Sequence, residues 1–251
     1  MLSKRIIACL DVRNGQVVKG INFEGLRNAG DPAELAERYN EEGIDEVVIL
    51  DVTATLEGRR ALAETVSAVA KRIFIPLTVG GGIRSEEDAA AAIDAGAEKV
   101  SLNTAAITNP DLITRLARRY GSQAAIVAID AKWVNNRALV YARSGQSATE
   151  REAVEWAREA ADRGAGEILL TSIDRDGTKT GFDCELTAAV SKAVNIPVIA
   201  SGGAGKLEDF YDVFNGGCAD AALAASIFHF SEHSVRDLKE LLRSRGVPVR
   251  L

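Results

Sequence analysis

Two aspartates, Asp11 and Asp130, each end a short apolar run of this 251-residue chain, and two glycine turns, Gly81-Gly82 and Gly202-Gly203, each follow another. A partly desolvated carboxylate has a tunable pKa, so one member of a pair can give a proton while the other takes one. A glycine turn between a strand and a helix lets backbone N–H groups close around a phosphate. Two such cradles imply a ligand with a phosphate at each end. Each aspartate also has a plainer reading, as a cap for the loop that follows it. The symmetric pair beside two cradles favours chemistry.

The symmetry lies in the chain itself. Ile75-Pro76-Leu77-Thr78-Val79-Gly80-Gly81-Gly82-Ile83 returns as Ile196-Pro197-Val198-Ile199-Ala200-Ser201-Gly202-Gly203-Ala204, an offset of 197 − 76 = 121. The segment from Gly96 to Thr104 aligns with that from Gly217 to Ala225 at the same offset, which pairs Lys99 with Asp220 and Asn103 with Ala224. Asp11 matches Asp130 at 130 − 11 = 119. A repeat this long fits two fused half-domains, about 1–121 and 122–251.

The elements that position these groups alternate between β-branched apolar runs and helical patterns, the signature of βα units. Strands are expected near 5–11, 46–51, 75–80, 99–103, 124–130, 167–172, 197–201 and 220–224. Eight strands in about 250 residues fit one (β/α)8 TIM barrel, an α/β fold whose active site lies at the C-terminal strand ends. Asp11 closes the first strand and Asp130 the fifth, across the mouth from each other. Asp31-Pro32 and Asn109-Pro110 read as helix starts. Gly43, Gly96, Gly121, Gly164 and Gly246 read as left-handed helix ends. Residues 12–30 and 131–150 are too long for simple connections and are expected to be lids or binding elements. Asp51, Asp174 and Asp176 also fall at or beyond strand tips, and Asp176-Gly177 reads as a turn.

Alternation along strands places another set of charges at the opposite end. Counting back from the tips gives Arg5, Glu46, Lys99 and Glu167, two bases and two acids at the base of the interior. Opposite signs there can pair and seal the barrel, or form a gate. The inferred inward positions Cys9, Thr78, Ser101, Ala128, Ser201 and Ala222 are small or mildly polar, which favours a passage.

Composition sets the outer limits. Apolar content of 47% is ordinary for a soluble protein, and no apolar run approaches the roughly 18 residues of a membrane span. The first residues lack the features of a signal peptide, so a cytoplasmic protein is expected. A net charge of −6 disfavours general attraction to nucleic acid or anionic membranes. Cys9, Cys184 and Cys218 are odd in number and far apart, which favours neither disulfides nor zinc. His229 and His233 have i, i+4 spacing but no glutamate between them, and no metal is expected.

Arg5-Ile6-Ile7-Ala8-Cys9-Leu10-Asp11-Val12, Asp130-Ala131-Lys132, Thr171-Ser172-Ile173-Asp174-Arg175-Asp176-Gly177-Thr178 and Ala200-Ser201-Gly202-Gly203-Ala204-Gly205-Lys206 closely resemble the cyclase subunits of imidazole glycerol phosphate synthase. The resemblance covers essentially the whole chain. It implies that ammonia and the bisphosphorylated substrate PRFAR give imidazole glycerol phosphate and AICAR, in histidine biosynthesis, without metal or redox cofactor. The acid/base pair then corresponds to Asp11 and Asp130. The phosphate sites correspond to Gly82, Asn103 and Thr104 in one half, and to Gly203, Ala225 and Ser226 in the other, with Asp176 and Gly177 also at the substrate. Lys19 corresponds to a substrate-binding loop lysine. Asn215-Gly216-Gly217-Cys218 is one residue longer than in a familiar relative, which bears on the placement of Ala225 and Ser226. Trp133 lies in a variable loop, where it either covers substrate or packs locally.

The resemblance also implies a glutaminase partner docked on the N-terminal face, with ammonia passing a gate of Arg5, Glu46, Lys99 and Glu167. Two alternatives differ in chemistry: the sister ProFAR isomerase, which needs no ammonia passage, and a noncatalytic scaffold that activates a glutaminase.

Overall fold

The computed structural model describes residues 2–21, 24–52, 56–229 and 234–251, with the backbone alone at 19–21, 24–29, 56–61 and 229. Among the described residues twelve strands form one sheet: β1 (Arg5–Arg13), β2 (Gln16–Ile21), β3 (Glu24–Gly30), β4 (Glu46–Asp51), β5 (Leu77–Gly80), β6 (Lys99–Leu102), β7 (Ala125–Val134), β8 (Arg137–Ala142), β9 (Ser147–Glu152), β10 (Glu167–Ser172), β11 (Val198–Ser201) and β12 (Ala221–Ala224). Eight are parallel in the order β10-β11-β12-β1-β4-β5-β6-β7, and pairing of β10 with β7 closes the barrel. These eight match the strands expected from the sequence.

The two long segments are not irregular loops. β1 runs on past Asp11 into an antiparallel β2 and β3, and β7 runs past Asp130 into an antiparallel β8 and β9. Two-residue turns make both reversals, Asn14-Gly15 at φ 51° and 76° and Asn135-Asn136 at φ 49° and 61°. Positive φ at both central residues suits the twist of a hairpin, and Asn and Gly tolerate it best.

Alternating parity splits the core in two. Ile7, Cys9, Val48, Ile126, Leu169, Ile199, Ala221 and Leu223 fill the barrel interior, while Ile6, Ala8, Leu10, Val47, Ile49, Val127 and Ile168 face the helices. Fully burying one such aliphatic side chain stabilises the fold by about 1.5–3 kcal/mol. Ala222 belongs to the outer layer, not to the interior as the sequence suggested. The interior carries a branched layer alongside the small residues Cys9 and Ala128.

The helices α1 (Pro32–Glu41), α2 (Leu56–Ala70), α3 (Glu86–Asp94), α4 (Thr104–Thr108), α5 (Asp111–Tyr120), α6 (Ala153–Asp162), α7 (Cys184–Ser191), α8 (Leu207–Asn215), α9 (Ser226–His229) and α10 (Val235–Ser244) follow the parallel strands. Asp31 caps α1 by accepting from the Ala33 and Glu34 N–H groups. Asn109 does not repeat this: α5 begins from Pro110, whose φ of −59° is already helical, with no side-chain cap. The five expected helix-terminal glycines all have positive φ.

One difference between the halves lies at a helix end. α3 and α8 keep the 121 offset (207 − 86 = 121), but β6 and β12 are 122 apart (221 − 99 = 122). The extra residue falls at Gly216-Gly217, so Cys218, at φ 57°, takes the place that Gly96 holds at φ 116°. Lys99 therefore corresponds to Ala221, and Asn103 to Ala225, one position on from the sequence alignment. This same slip turns Ala222 outward.

Candidate active site

Three strands separate β1 from β7 in each direction around the barrel, so Asp11 and Asp130 end diametrically opposed strands at the same mouth. Asp11 lies beside Leu50 of β4, and the Cys9 thiol donates toward its Oδ1 at 3.6 Å. Asp130 lies beside Thr171 of β10, and its Oδ2 accepts from Asn103 Nδ2 at 2.8 Å. Burial, with the nearby charge of Asp176, pushes the Asp130 carboxyl up to about 6 against the pull of the Asn103 bond. A carboxyl near 6 exchanges protons in either direction close to neutral pH.

The glycine turns close the strands between these aspartates. Gly81 has φ 79°, and an added Cβ would meet the Asp51 carbonyl oxygen at 2.1 Å, so it serves backbone packing. Gly82, at φ 80°, meets no described atom within 4 Å of such a Cβ. Gly202 and Gly203 have φ 91° and 104°, and Gly203 packs on the backbone of Gly181, whose N–H it receives at 2.8 Å. The first turn presents an open backbone, and the second is partly occupied by its own chain.

Asn103 and Thr104 follow β6, and Ala225 and Ser226 follow β12, at equivalent places in the two halves. Thr104 Oγ1 accepts from the Arg143 N–H at 2.9 Å, which seats the turn between β8 and β9 on that corner. Asp176 and Gly177 form the turn expected: Asp176 N–H donates to Ser172 O at 2.9 Å, and Gly177 has φ 73°. Lys19 is in β2 opposite Arg27, and its side chain lies outside the described residues. Trp133 packs locally, with its N–H donating to Asp174 Oδ2 and its Nε1 to Asp183 Oδ2, each at 2.9 Å.

At the other end the four charges join in one closed ring. Arg5 bonds Glu46 at 2.9 Å and Glu167 at 2.7 Å, and Lys99 bonds the same two acids at 3.0 and 2.8 Å. Thr78 Oγ1 adds a bond to Glu46 Oε1 at 2.7 Å; parity placed Thr78 inward, and its membership of the ring is what the structure adds. Burial pushes the Glu167 carboxyl up, but its bonds to Arg5 and Lys99 outweigh this and hold it below the ordinary range. Burial likewise opposes the Arg5 charge, and the two glutamates overcome it and raise its pKa. Such a ring offsets the desolvation of its members only while all are paired.

Among the described residues, no group of three or more His, Cys, Asp or Glu could hold a metal ion, and no helix is long and apolar enough to cross a membrane. His233 and the His229 side chain lie outside the described residues.

The sequence profile of a family described as "Histidine biosynthesis protein" matches residues 5–234. The imidazole glycerol phosphate synthase subunit HisF of Acidobacterium capsulatum is 61% identical over 251 residues, which is 100% of this chain and 99% of that protein. The proteins of the same name from Chlorobium phaeovibrioides and Chlorobaculum tepidum are 59% and 60% identical, each over 100% of both chains.

Proposed function

Because this chain belongs to the histidine biosynthesis protein family, among the cyclase subunits of imidazole glycerol phosphate synthase, we propose that its two opposed aspartates carry the ring-closing chemistry. Ammonia and PRFAR react in the barrel mouth to give imidazole glycerol phosphate and AICAR. The observation that carries this reading is the position of Asp11 and Asp130 on opposite strands between two positive-φ glycine turns. Ammonia attack, ring closure and release of AICAR each move protons, and two carboxyls facing the substrate from opposite sides can give and take them. Asp130, near 6, is the member poised to do both.

The phosphates bind at the two turns. Gly82, Asn103 and Thr104 form one anchor, and Gly203, Ala225 and Ser226 the other, with Asp176, Gly177 and Lys19 along the substrate between them. Anchoring both ends holds the reacting centre in place, and this restriction is itself a large part of catalysis. The chain works as one domain of two half-barrels, 1–121 and 122–251.

Ammonia enters from the opposite end through the ring of Arg5, Glu46, Lys99 and Glu167, supplied in the cytoplasm by a glutaminase subunit docked on the N-terminal face. Among the described residues the exposed large hydrophobics are Leu2, Phe74 and Leu251, at 92%, 94% and 67% exposure. Leu2 precedes β1, Phe74 precedes β5, and Leu251 follows Val249, which bridges to Lys4. All three therefore stand on the face around the ring, where an apolar partner surface would cover them. The test is turnover of PRFAR by the isolated chain with ammonium salt at alkaline pH, where free ammonia replaces the partner's supply.

A further inference from the structure

Asn103 stands at a place where the two halves differ. It follows β6 as Ala225 follows β12, and β6 and β12 are the strands next to those bearing Asp130 and Asp11. The Asn103 amide donates to Asp130 at 2.8 Å, whereas Ala225 has no polar side chain to offer Asp11. Asn103 also makes no side-chain cap to α4, although it holds the N-cap position with φ −117° and ψ −92°. Its side chain is committed to the carboxylate instead. Its Oδ1 is buried without a hydrogen-bond partner.

We infer that Asn103, besides its place in the phosphate anchor, is a positioning residue for Asp130, a second role that Ala225 at the equivalent place in the other half has no side chain to fill. This deepens the proposed reaction and rests on Asp130 being one of its proton-transfer groups. An N–H donated to Oδ2 favours the ionised carboxylate, against burial and the Asp176 charge. It also ties down one of the two carboxyl oxygens, Oδ2. Reversal of the Asn103 amide would instead place its Oδ1 against Asp130, where it could accept from the protonated carboxyl. The unpartnered Oδ1 gives this side chain an acceptor for that state. One side chain can thus serve both protonation states of a group that must cycle between them.

The test separates this role from phosphate binding and from the proposed reaction. Carboxyl NMR titration of Asp130 in the unliganded full chain, with carbon-13-labelled aspartate, should show its midpoint about one unit higher in Asn103→Ala than in the parent. Asn103→Ser, which keeps a donor, should recover part of that shift. Under ammonia-dependent turnover, Asn103→Ala should lower kcat about tenfold or more and move the acid limb of the kcat profile upward with the NMR midpoint. An unmoved NMR midpoint in Asn103→Ala overturns the inference. So does a KM raised tenfold with kcat unchanged, which leaves Asn103 with phosphate binding alone. Absence of PRFAR turnover in the parent would count against the proposed reaction and leave the NMR comparison as the judge of the Asn103–Asp130 coupling.

Discussion

Glu46 and Glu167 hold equivalent places in the two halves of the barrel, 167 − 46 = 121 residues apart, yet both are bridged by cations from the first half alone. Lys99 has Ala221 as its counterpart, and Arg5, counted back from Asp11 and Asp130, has Ala124. One half therefore supplies all the positive charge of the ring. A symmetric ring with four cations would be overcharged, so this loss of symmetry is what lets the interior charges cancel.

Removing one acid should show how far the ring holds the fold. Glu167→Gln leaves Arg5 and Lys99 sharing Glu46, and unfolding in urea at neutral pH should show a loss of about 3 kcal/mol. The folded pKa of Glu167 is depressed, so its contribution is present above the ordinary carboxylate value and fades as pH falls through the lower folded one. The gap between parent and variant should therefore shrink on acidification below about pH 4. A gap independent of pH would mean that the carboxylate charge is not what stabilises the base.

Asp130 behaves in the opposite sense. Its folded pKa of about 6 lies above the ordinary 3.8, so the fold favours the protonated form. Stability from this group is complete at low pH and is lost as pH rises through 6. Asp130→Asn should thus abolish turnover yet stabilise the folded chain by up to about 3 kcal/mol near pH 8, with no gain near pH 3.5. Thermal unfolding across that range gives the answer, and a variant less stable than the parent at pH 8 would show that Asp130 is a structural group.

The two cradles should respond differently to a methyl group. Gly203→Ala would push a Cβ to within 2.2 Å of the Gly181 carbonyl oxygen and should lose several degrees of melting temperature. Gly82→Ala meets no described atom within 4 Å, so its left-handed backbone costs only about 1–2 kcal/mol. It should remain folded while KM for PRFAR rises at least about tenfold, the effect of lost uniform binding. Unchanged KM would place the phosphate elsewhere.

Phe74 tests the docking face. Phe74→Asp should leave ammonium-dependent turnover as it is, because the residue lies at the far end of the barrel, and should weaken glutamine-dependent turnover with a glutaminase subunit. Equal glutamine-dependent activity at limiting partner concentration would move the interface off this face.

The opposed aspartates and the charged ring were legible in the sequence because strand count survives an error of one or two residues at strand ends, and because the strands bearing the ring were counted from the correct tip residues, so parity held. The 122-residue spacing of β6 and β12 was not, because a single glycine added at the end of α8 leaves the local motifs intact while turning Ala222 outward. The hairpins beyond Asp11 and Asp130 had a readable signal at Asn14-Gly15, which is a strong two-residue turn sequence. Asn135-Asn136 is a weaker one. The Asn103–Asp130 bond was beyond sequence reasoning, because it depends on the stagger between neighbouring strands and on a side-chain rotamer.

The most direct measurement is turnover by the isolated, folded chain supplied with PRFAR and ammonium salt at alkaline pH. The two-aspartate account predicts formation of imidazole glycerol phosphate and AICAR by the parent, with Asp11→Asn and Asp130→Asn both inactive but still binding PRFAR. A folded parent that forms neither product, or a variant of either aspartate that keeps the parent's rate, would contradict it.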